Sequence, residues 1–164
     1  MVLLVTMIPL LMGSAFFSAS ETVFFGLTFE DNSALRSKGG VVGGIVDALL
    51  RNPRQLLVTV LLGNMTINTL FMTISAVLLL RHGANPLASF IFGVGSLLLL
   101  IILGEIIPKI SGQTHRVGAA SLLGGPLLGL HRMITPLRVI IGHLIVVPLA
   151  RLVGEEGRWD YLVN

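Results

Sequence analysis

Three long apolar runs constrain the fold more than any other feature of this sequence. They cover residues 2–27, 55–80 and 86–107. A helix needs about 20 predominantly apolar residues to cross the ~30 Å hydrocarbon core of a bilayer, so each run is long enough. Charged residues make up 12% of the chain, against about 25% in soluble domains. The pattern predicts an all-α integral membrane protein with three transmembrane helices.

The first two runs are separated by a polar connection over residues 28–54, which carries charges together with several glycines and Pro53. Glycine and proline interrupt regular structure, so this connection is predicted to face water and to contain short helices. Residues 81–85 are predicted to form a tight turn.

The sequence after Pro108 is apolar but interrupted by glycines and prolines, and basic residues recur along it. Such a segment favours helices that lie in the membrane interface. We therefore expect a juxtamembrane, belt-like helical segment over about 117–153. A fourth full span at 137–149 is the alternative, although this stretch is short for one.

The positions of the Lys and Arg residues predict the orientation of the chain. With three spans and the N-terminus outside, only Arg81 lies outside and ten basic residues lie on the inner side. These are Arg36, Lys38, Arg51, Arg54, Lys109, Arg116, Arg132, Arg138, Arg151 and Arg158. The positive-inside rule favours this arrangement, with the inner side in the cytosol.

Each apolar run carries polar groups at a spacing that places them on one helix face. Helical residues three or four apart share a face. The groups are Ser14, Ser18 and Glu21 on the first run, Asn64 and Asn68 on the second, and Gly104 and Glu105 on the third. Acidic residues inside a membrane are expensive and are functional by default.

Pro108 adds a backbone oxygen to this set. It has no N–H, and its ring clashes with the carbonyl four residues earlier, that of Gly104. A freed carbonyl inside a membrane is tolerated only where protein, water or an ion satisfies it. Broken helices of this kind hold ions in transporters.

The candidate ligands are hydroxyl, amide, carboxylate and carbonyl oxygens, and the chain has no cysteine. This set suits hard cations such as Mg²⁺, Ca²⁺ or Na⁺. Simpler roles remain open, because serine and asparagine also bond helices together in membranes. Glu105 could pair with Lys109 one turn later, and Glu21 could reach water.

Three segments resemble the transmembrane module of the CorC/CNNM (cyclin M) magnesium transporter family. They are Ser14-Ala-Phe-Phe-Ser18-Ala-Ser-Glu21-Thr, Gly63-Asn64-Met-Thr-Ile-Asn68 and Gly104-Glu105-Ile-Ile-Pro108-Lys109. The resemblance covers essentially the whole chain. It implies a homodimer in the cell (inner) membrane with a cytosol-facing Mg²⁺ cavity, and Mg²⁺ export driven by Na⁺ entry.

The same resemblance assigns the ion-site positions. The implied Mg²⁺ ligands are Ser14, Ser18, Asn64, Asn68, Gly104 through its carbonyl, and Glu105. Glu21, Pro108 and Lys109 match the motifs and are expected to be accessory.

The family also continues into cytosolic CBS domains that bind adenine nucleotide, whereas this sequence ends at Asn164. We therefore expect the chain to be the membrane part of a longer protein. No enzyme activity and no nucleic-acid partner are expected, because neither a hydrolase motif nor a nucleic-acid-binding fold is present. A Mg²⁺-sensing membrane anchor that does not transport is the alternative function.

Overall fold

The computed structural model describes residues 2–37, 40–82 and 85–141, and these residues form helices joined by short connections. The elements are α1 (Val2–Phe25), α2 (Phe29–Ser37), α3 (Gly40–Leu50), α4 (Pro53–His82), α5 (Pro86–Leu99), a π-helical segment (Leu100–Ile106), α6 (Ile107–Thr114) and α7 (Arg116–Ile141). The all-α fold predicted from the sequence is confirmed.

Within the described residues, three helical stretches are long and apolar enough to cross a membrane, namely Leu3–Phe25, Pro53–Arg81 and Pro86–Thr114. The number of spans agrees with the sequence prediction. Two of them begin at a proline. The first residues of a helix have no acceptor for their N–H groups, so a proline there costs no helical hydrogen bond. Asn85 also caps the third span, because its side-chain oxygen accepts a hydrogen bond from the Leu87 N–H at 3.0 Å.

The third span continues past the predicted end at residue 107. It widens into the π-helical segment, in which the Ile107 N–H bonds to the Ile102 carbonyl five residues earlier. A wider turn of this kind accommodates Pro108 within a continuing helix, so the chain remains helical through α6. The sequence predicted that Pro108 disturbs the helical hydrogen bonds near Gly104, but it did not predict a π-helical segment.

The polar connection folds into the two short helices α2 and α3, as the sequence predicted. α2 begins with a capping box: the Thr28 N–H donates to Asp31 Oδ2 at 3.0 Å, and the Asp31 N–H donates to Thr28 Oγ1 at 3.2 Å. This reciprocal pair satisfies N–H groups that have no partner inside the helix. At the start of α3, Gly40 adopts φ +67°, which suits glycine.

α7 is one continuous helix, although the sequence predicted that Gly124, Gly125 and Pro126 would interrupt it. It packs against α1, α2, α3 and α4 at one end of the bundle. These tertiary contacts compensate for the single helical hydrogen bond that a proline removes. The predicted belt beyond residue 141, and with it most of the possible fourth span at 137–149, lies outside the described residues.

The buried apolar core also lies at this end, where five helices meet. Its members are Phe17, Val23, Phe24, Leu35, Val46, Leu49, Leu56, Val60, Ala120 and Leu127. They come from α1, α2, α3, α4 and α7, so α2, α3 and α7 share one core with the C-terminal half of α1 and the N-terminal half of α4. Among the residues that the structure describes, the other end of the bundle consists of the three spans.

Gly63 lets α1 and α4 approach closely. A Cβ atom at this position would lie 2.3 Å from two ring carbons of Phe17, which is far below contact distance. The Phe17 side chain is 4% exposed and therefore packs directly on the glycine backbone. Small residues at helix interfaces serve this purpose in membranes.

We predict that Gly63→Ala lowers the free energy of unfolding by about 1–3 kcal/mol, the usual range for overpacking. Unfolding in detergent micelles by a denaturing surfactant would measure it. The matched control is Gly93→Ala, because a Cβ at Gly93 meets nothing within 4 Å. Equal stability of the two variants would contradict the predicted contact.

Arg116 joins the end of α1 to the start of α7. Its Nη1 donates to the Gly26 carbonyl at 2.7 Å and lies 4.0 Å from Asp31 Oδ2. The Gly26 carbonyl follows the last turn of α1, where helical carbonyls lack partners. The N–H and hydroxyl of Thr28 hold the pKa of Asp31 below its usual value, and the Arg116 guanidinium contributes less.

This pKa shift predicts an acid-sensitive contribution to stability. The folded pKa of Asp31 is lower than the unfolded one, so the stabilisation is complete above the usual aspartate pKa of about 3.9. It is lost as the pH falls through the folded value. The difference in melting temperature between wild type and Asp31→Asn should therefore shrink towards zero in acid.

The matched control for this measurement is Glu30→Gln, which neutralises the adjacent exposed carboxylate. Its melting temperature should fall with decreasing pH in the same way as that of the wild type. A difference in melting temperature between Asp31→Asn and wild type that stays constant as the pH falls would contradict a lowered pKa of Asp31.

Candidate cation site

Two serines of α1 lie completely buried where the three spans meet. Ser14 and Ser18 are both 0% exposed. They are four residues apart and share one face of α1, which packs against α4 and the π-helical segment. A buried hydroxyl needs hydrogen-bond partners, and both serines find theirs on neighbouring spans.

Ser14 connects all three spans. Its Oγ lies 2.7 Å from Asn68 Oδ1 on α4 and 3.3 Å from the Gly104 carbonyl oxygen, and the two acceptors share the single hydrogen of the hydroxyl. The Gly104 carbonyl is the one that Pro108 deprives of its α-helical donor, and the Ser14 hydroxyl supplies a bond in its place. The Gly104 carbonyl therefore has a hydrogen-bond partner on a neighbouring span.

Glu105 completes the arrangement from the third span. Asn68 Nδ2 donates to Glu105 Oε1 at 2.7 Å, and Ser18 Oγ donates to the backbone carbonyl of Glu105 at 3.2 Å. We call Ser14, Ser18, Asn68, Gly104 and Glu105 the oxygen cluster. Five of the six residues predicted as ligands are thus joined by one hydrogen-bond network.

Gly104 is required for this close approach. A Cβ atom on it would lie 2.7 Å from Ser14 Oγ and 3.2 Å from Ser14 Cβ. Any side chain here would push α1 away from the third span and separate the oxygens of the cluster.

Asn64, the sixth predicted ligand, lies one turn from Asn68 on the same face of α4. Its Oδ1 is buried and has no hydrogen-bond partner among the described residues. A buried amide oxygen without a partner carries a desolvation penalty of about 1–3 kcal/mol. Asn64 is therefore available to bind a cation, although the network does not include it.

The accessory residues lie on the side of the oxygen cluster that faces α7. Lys109 Nζ is 3.4 Å from Glu21 Oε2, so an ion pair joins α6 to α1. The alternative pairing of Lys109 with Glu105 is wrong in this structure, because Glu105 bonds to Asn68 instead. Glu21 is not simply solvated, since it has this partner. Pro108 stands between the π-helical segment and Lys109, early in α6.

Sequence reasoning missed two features of the site. The π-helical segment leaves no recognisable pattern beyond the proline itself. The backbone carbonyl of Glu105 accepts a hydrogen bond from Ser18 Oγ, and only the packed structure shows this contact. The spacing of the serines and asparagines, by contrast, indicates from the sequence alone which of these side chains share a helix face.

The donor set is hydroxyl, amide, carbonyl and a single carboxylate oxygen. Within the described ranges, no three His, Asp or Glu side chains lie close enough together to hold a metal. The arrangement thus differs from a conventional zinc or iron centre and offers oxygens that suit a hard cation.

The fold and this site define a multi-pass helical membrane protein with buried oxygens gathered between its three spans. Residues 4–160 match the family model described as the cyclin M transmembrane N-terminal domain. The match covers nearly the whole chain, so the protein belongs to the cyclin M transmembrane domain family, a family related to magnesium transport. The comparison with curated proteins found no match.

Proposed function

We propose that this domain binds Mg²⁺ at the oxygen cluster and carries it across the membrane. The observation that carries the proposal is the network in which the Ser14 hydroxyl contacts Asn68 and Gly104 at once. These groups come from all three spans, so a cation held here would sense any relative movement of the helices. Membership of the cyclin M family supports the choice of magnesium.

The oxygens of the cluster lie at separations that a small hard cation can use. Adjacent ligands of an octahedral Mg²⁺ at about 2.1 Å are about 3.0 Å apart. Ser14 Oγ lies 2.7 Å from Asn68 Oδ1 and 3.3 Å from the Gly104 oxygen. The hydrogen bonds thus hold these oxygens at a spacing that Mg²⁺ can use.

Binding would exchange hydrogen bonds for metal contacts. The Ser14 hydroxyl would turn its hydrogen away and present a lone pair to the ion. Asn68 Oδ1 and the Gly104 carbonyl oxygen would then contact the ion in place of the Ser14 hydrogen. Glu105 would supply the negative charge, while the unpartnered Asn64 Oδ1 would gain a ligand role. Mg²⁺ keeps several waters, so not every ligand need be protein.

We further propose that the cluster opens to the cytosol, that the protein is a homodimer of the cell membrane, and that Na⁺ entry drives Mg²⁺ export. The excess of basic residues in and around α2, α3, α6 and α7 supports a cytosolic location for that end of the bundle. The resemblance to CorC and CNNM proteins supports the dimer and the Na⁺ coupling.

We expect Glu105→Gln to weaken Mg²⁺ binding at least tenfold, or about 1.4 kcal/mol, because it removes the charge of the cluster. The glutamine oxygen can still accept from Asn68, so the fold should survive. Asn68→Ala should also lose binding, since it removes an amide ligand. Isothermal titration calorimetry with Mg²⁺ would measure both variants.

The matched control is Glu30→Gln, the same substitution at an exposed position of α2. It should bind Mg²⁺ like the wild type. Near-normal affinity in both Glu105→Gln and Asn68→Ala would reject the site.

Transport itself is tested in proteoliposomes that contain a Mg²⁺ dye. The wild type should move Mg²⁺ faster when a Na⁺ gradient is imposed in the opposite direction, and Glu105→Gln should not move it. Wild-type protein that binds Mg²⁺ but moves none, with or without a gradient, would favour the sensing membrane anchor over the transporter.

A further inference from the structure

Buried apolar side chains lie next to the oxygen cluster on the side towards the N-terminus of α1. Leu100 lies one turn before Gly104, and its Cδ1 would be 3.2 Å from a Cβ placed on that glycine. Phe71 lies three residues after Asn68 on α4. These two side chains are 4% and 1% exposed, respectively. We call Leu100 and Phe71 the apolar layer.

Buried polar groups reappear beyond the apolar layer. Ser96 is four residues before Leu100, and Ser75 is four residues after Phe71, so each lies one turn further from the oxygen cluster on the same side of its helix. They are 8% and 4% exposed. The sequence of layers along the bundle is therefore polar, apolar and polar.

A mostly apolar groove of about 470 Å³ includes Phe71 of the apolar layer in its lining. Its lining includes Met7 and Leu11 of α1, Phe71 of α4, and Phe92, Ser96 and Leu99 of α5. It exists because α1 packs against α4, the π-helical segment and α6, but barely against α5. Space is thus left between α1 and α5, and Phe71 of α4 is among the residues that line it. We call this space the α1–α5 groove.

We propose that Leu100 and Phe71 form the barrier that a cation must pass to leave the oxygen cluster towards the N-terminal side of α1, and that the α1–α5 groove is the start of the exit. This inference rests on the proposed transport function. Mg²⁺ gives up water reluctantly, so an apolar constriction without water opposes its passage. The barrier opens when these side chains separate, and the Ser96 hydroxyl then lies on the route.

The barrier predicts a leak when Leu100 is shortened. Leu100→Ala should raise the Mg²⁺ flux measured without a Na⁺ gradient several-fold, whereas Leu100→Met, which keeps the bulk, should leave it low. The matched control is Leu98→Ala on the same helix, because Leu98 is 50% exposed and lies outside the apolar layer. A Leu100→Ala flux no higher than that of Leu98→Ala would overturn the barrier.

The exit is tested separately by labelling, since the chain has no cysteine. Ser96→Cys should react with a charged, membrane-impermeant thiol reagent added from the side of the N-terminus. Reaction only with a lipid-soluble maleimide would overturn the proposal and identify the groove as a place for a lipid chain. This measurement needs no flux, so it remains decisive even if the transport function fails.

The two failures are distinguishable. Wild-type protein without flux would refute the proposed function. Normal wild-type flux, together with an unchanged Leu100→Ala and an unreactive Ser96→Cys, would refute only the barrier and its exit.

Discussion

The hydrogen bonds of the Ser14 hydroxyl are the interaction on which the arrangement of the spans depends. Inside a bilayer no water is available to satisfy a polar group, so such groups must find partners within the protein. Ser14 meets this requirement by bonding to Asn68 on the second span and to the Gly104 carbonyl on the third. The same contacts that hold the helices together gather oxygens at one point, so packing and the proposed cation binding use one set of atoms.

The two ends of the bundle are built on different physical principles. At the end that carries α2, α3 and α7, apolar side chains from five helices form a common core, and Arg116 ties the end of α1 to α7. At the other end, the described part of the chain places only the three spans, which leave the α1–α5 groove. A relative movement of the spans therefore meets less resistance from packing at the end that lacks the shared core, which is where we place the exit.

Much of the fold and of the candidate site followed from local patterns. The three spans follow from the length of the apolar runs. The spacing of four residues indicates that the two serines share one face of α1 and the two asparagines one face of α4. The continuity of α7 through Pro126 did not follow, because tertiary packing outweighs the loss of one helical bond. The partner of Lys109 did not follow either: Glu105 is closer in sequence, but Glu21 on another helix is the residue that Lys109 contacts.

The sequence by itself determined the membrane class, the three apolar spans and the chemistry of the oxygens, since these depend on residue type and on periodicity along one helix. Only the tertiary structure decided which oxygens meet, because that depends on the rotation of each helix about its axis and on close contacts at glycine. It also decided that Pro108 widens the third span into a π turn instead of ending it. Proline forbids one hydrogen bond, but the neighbouring helices determine which backbone geometry replaces it.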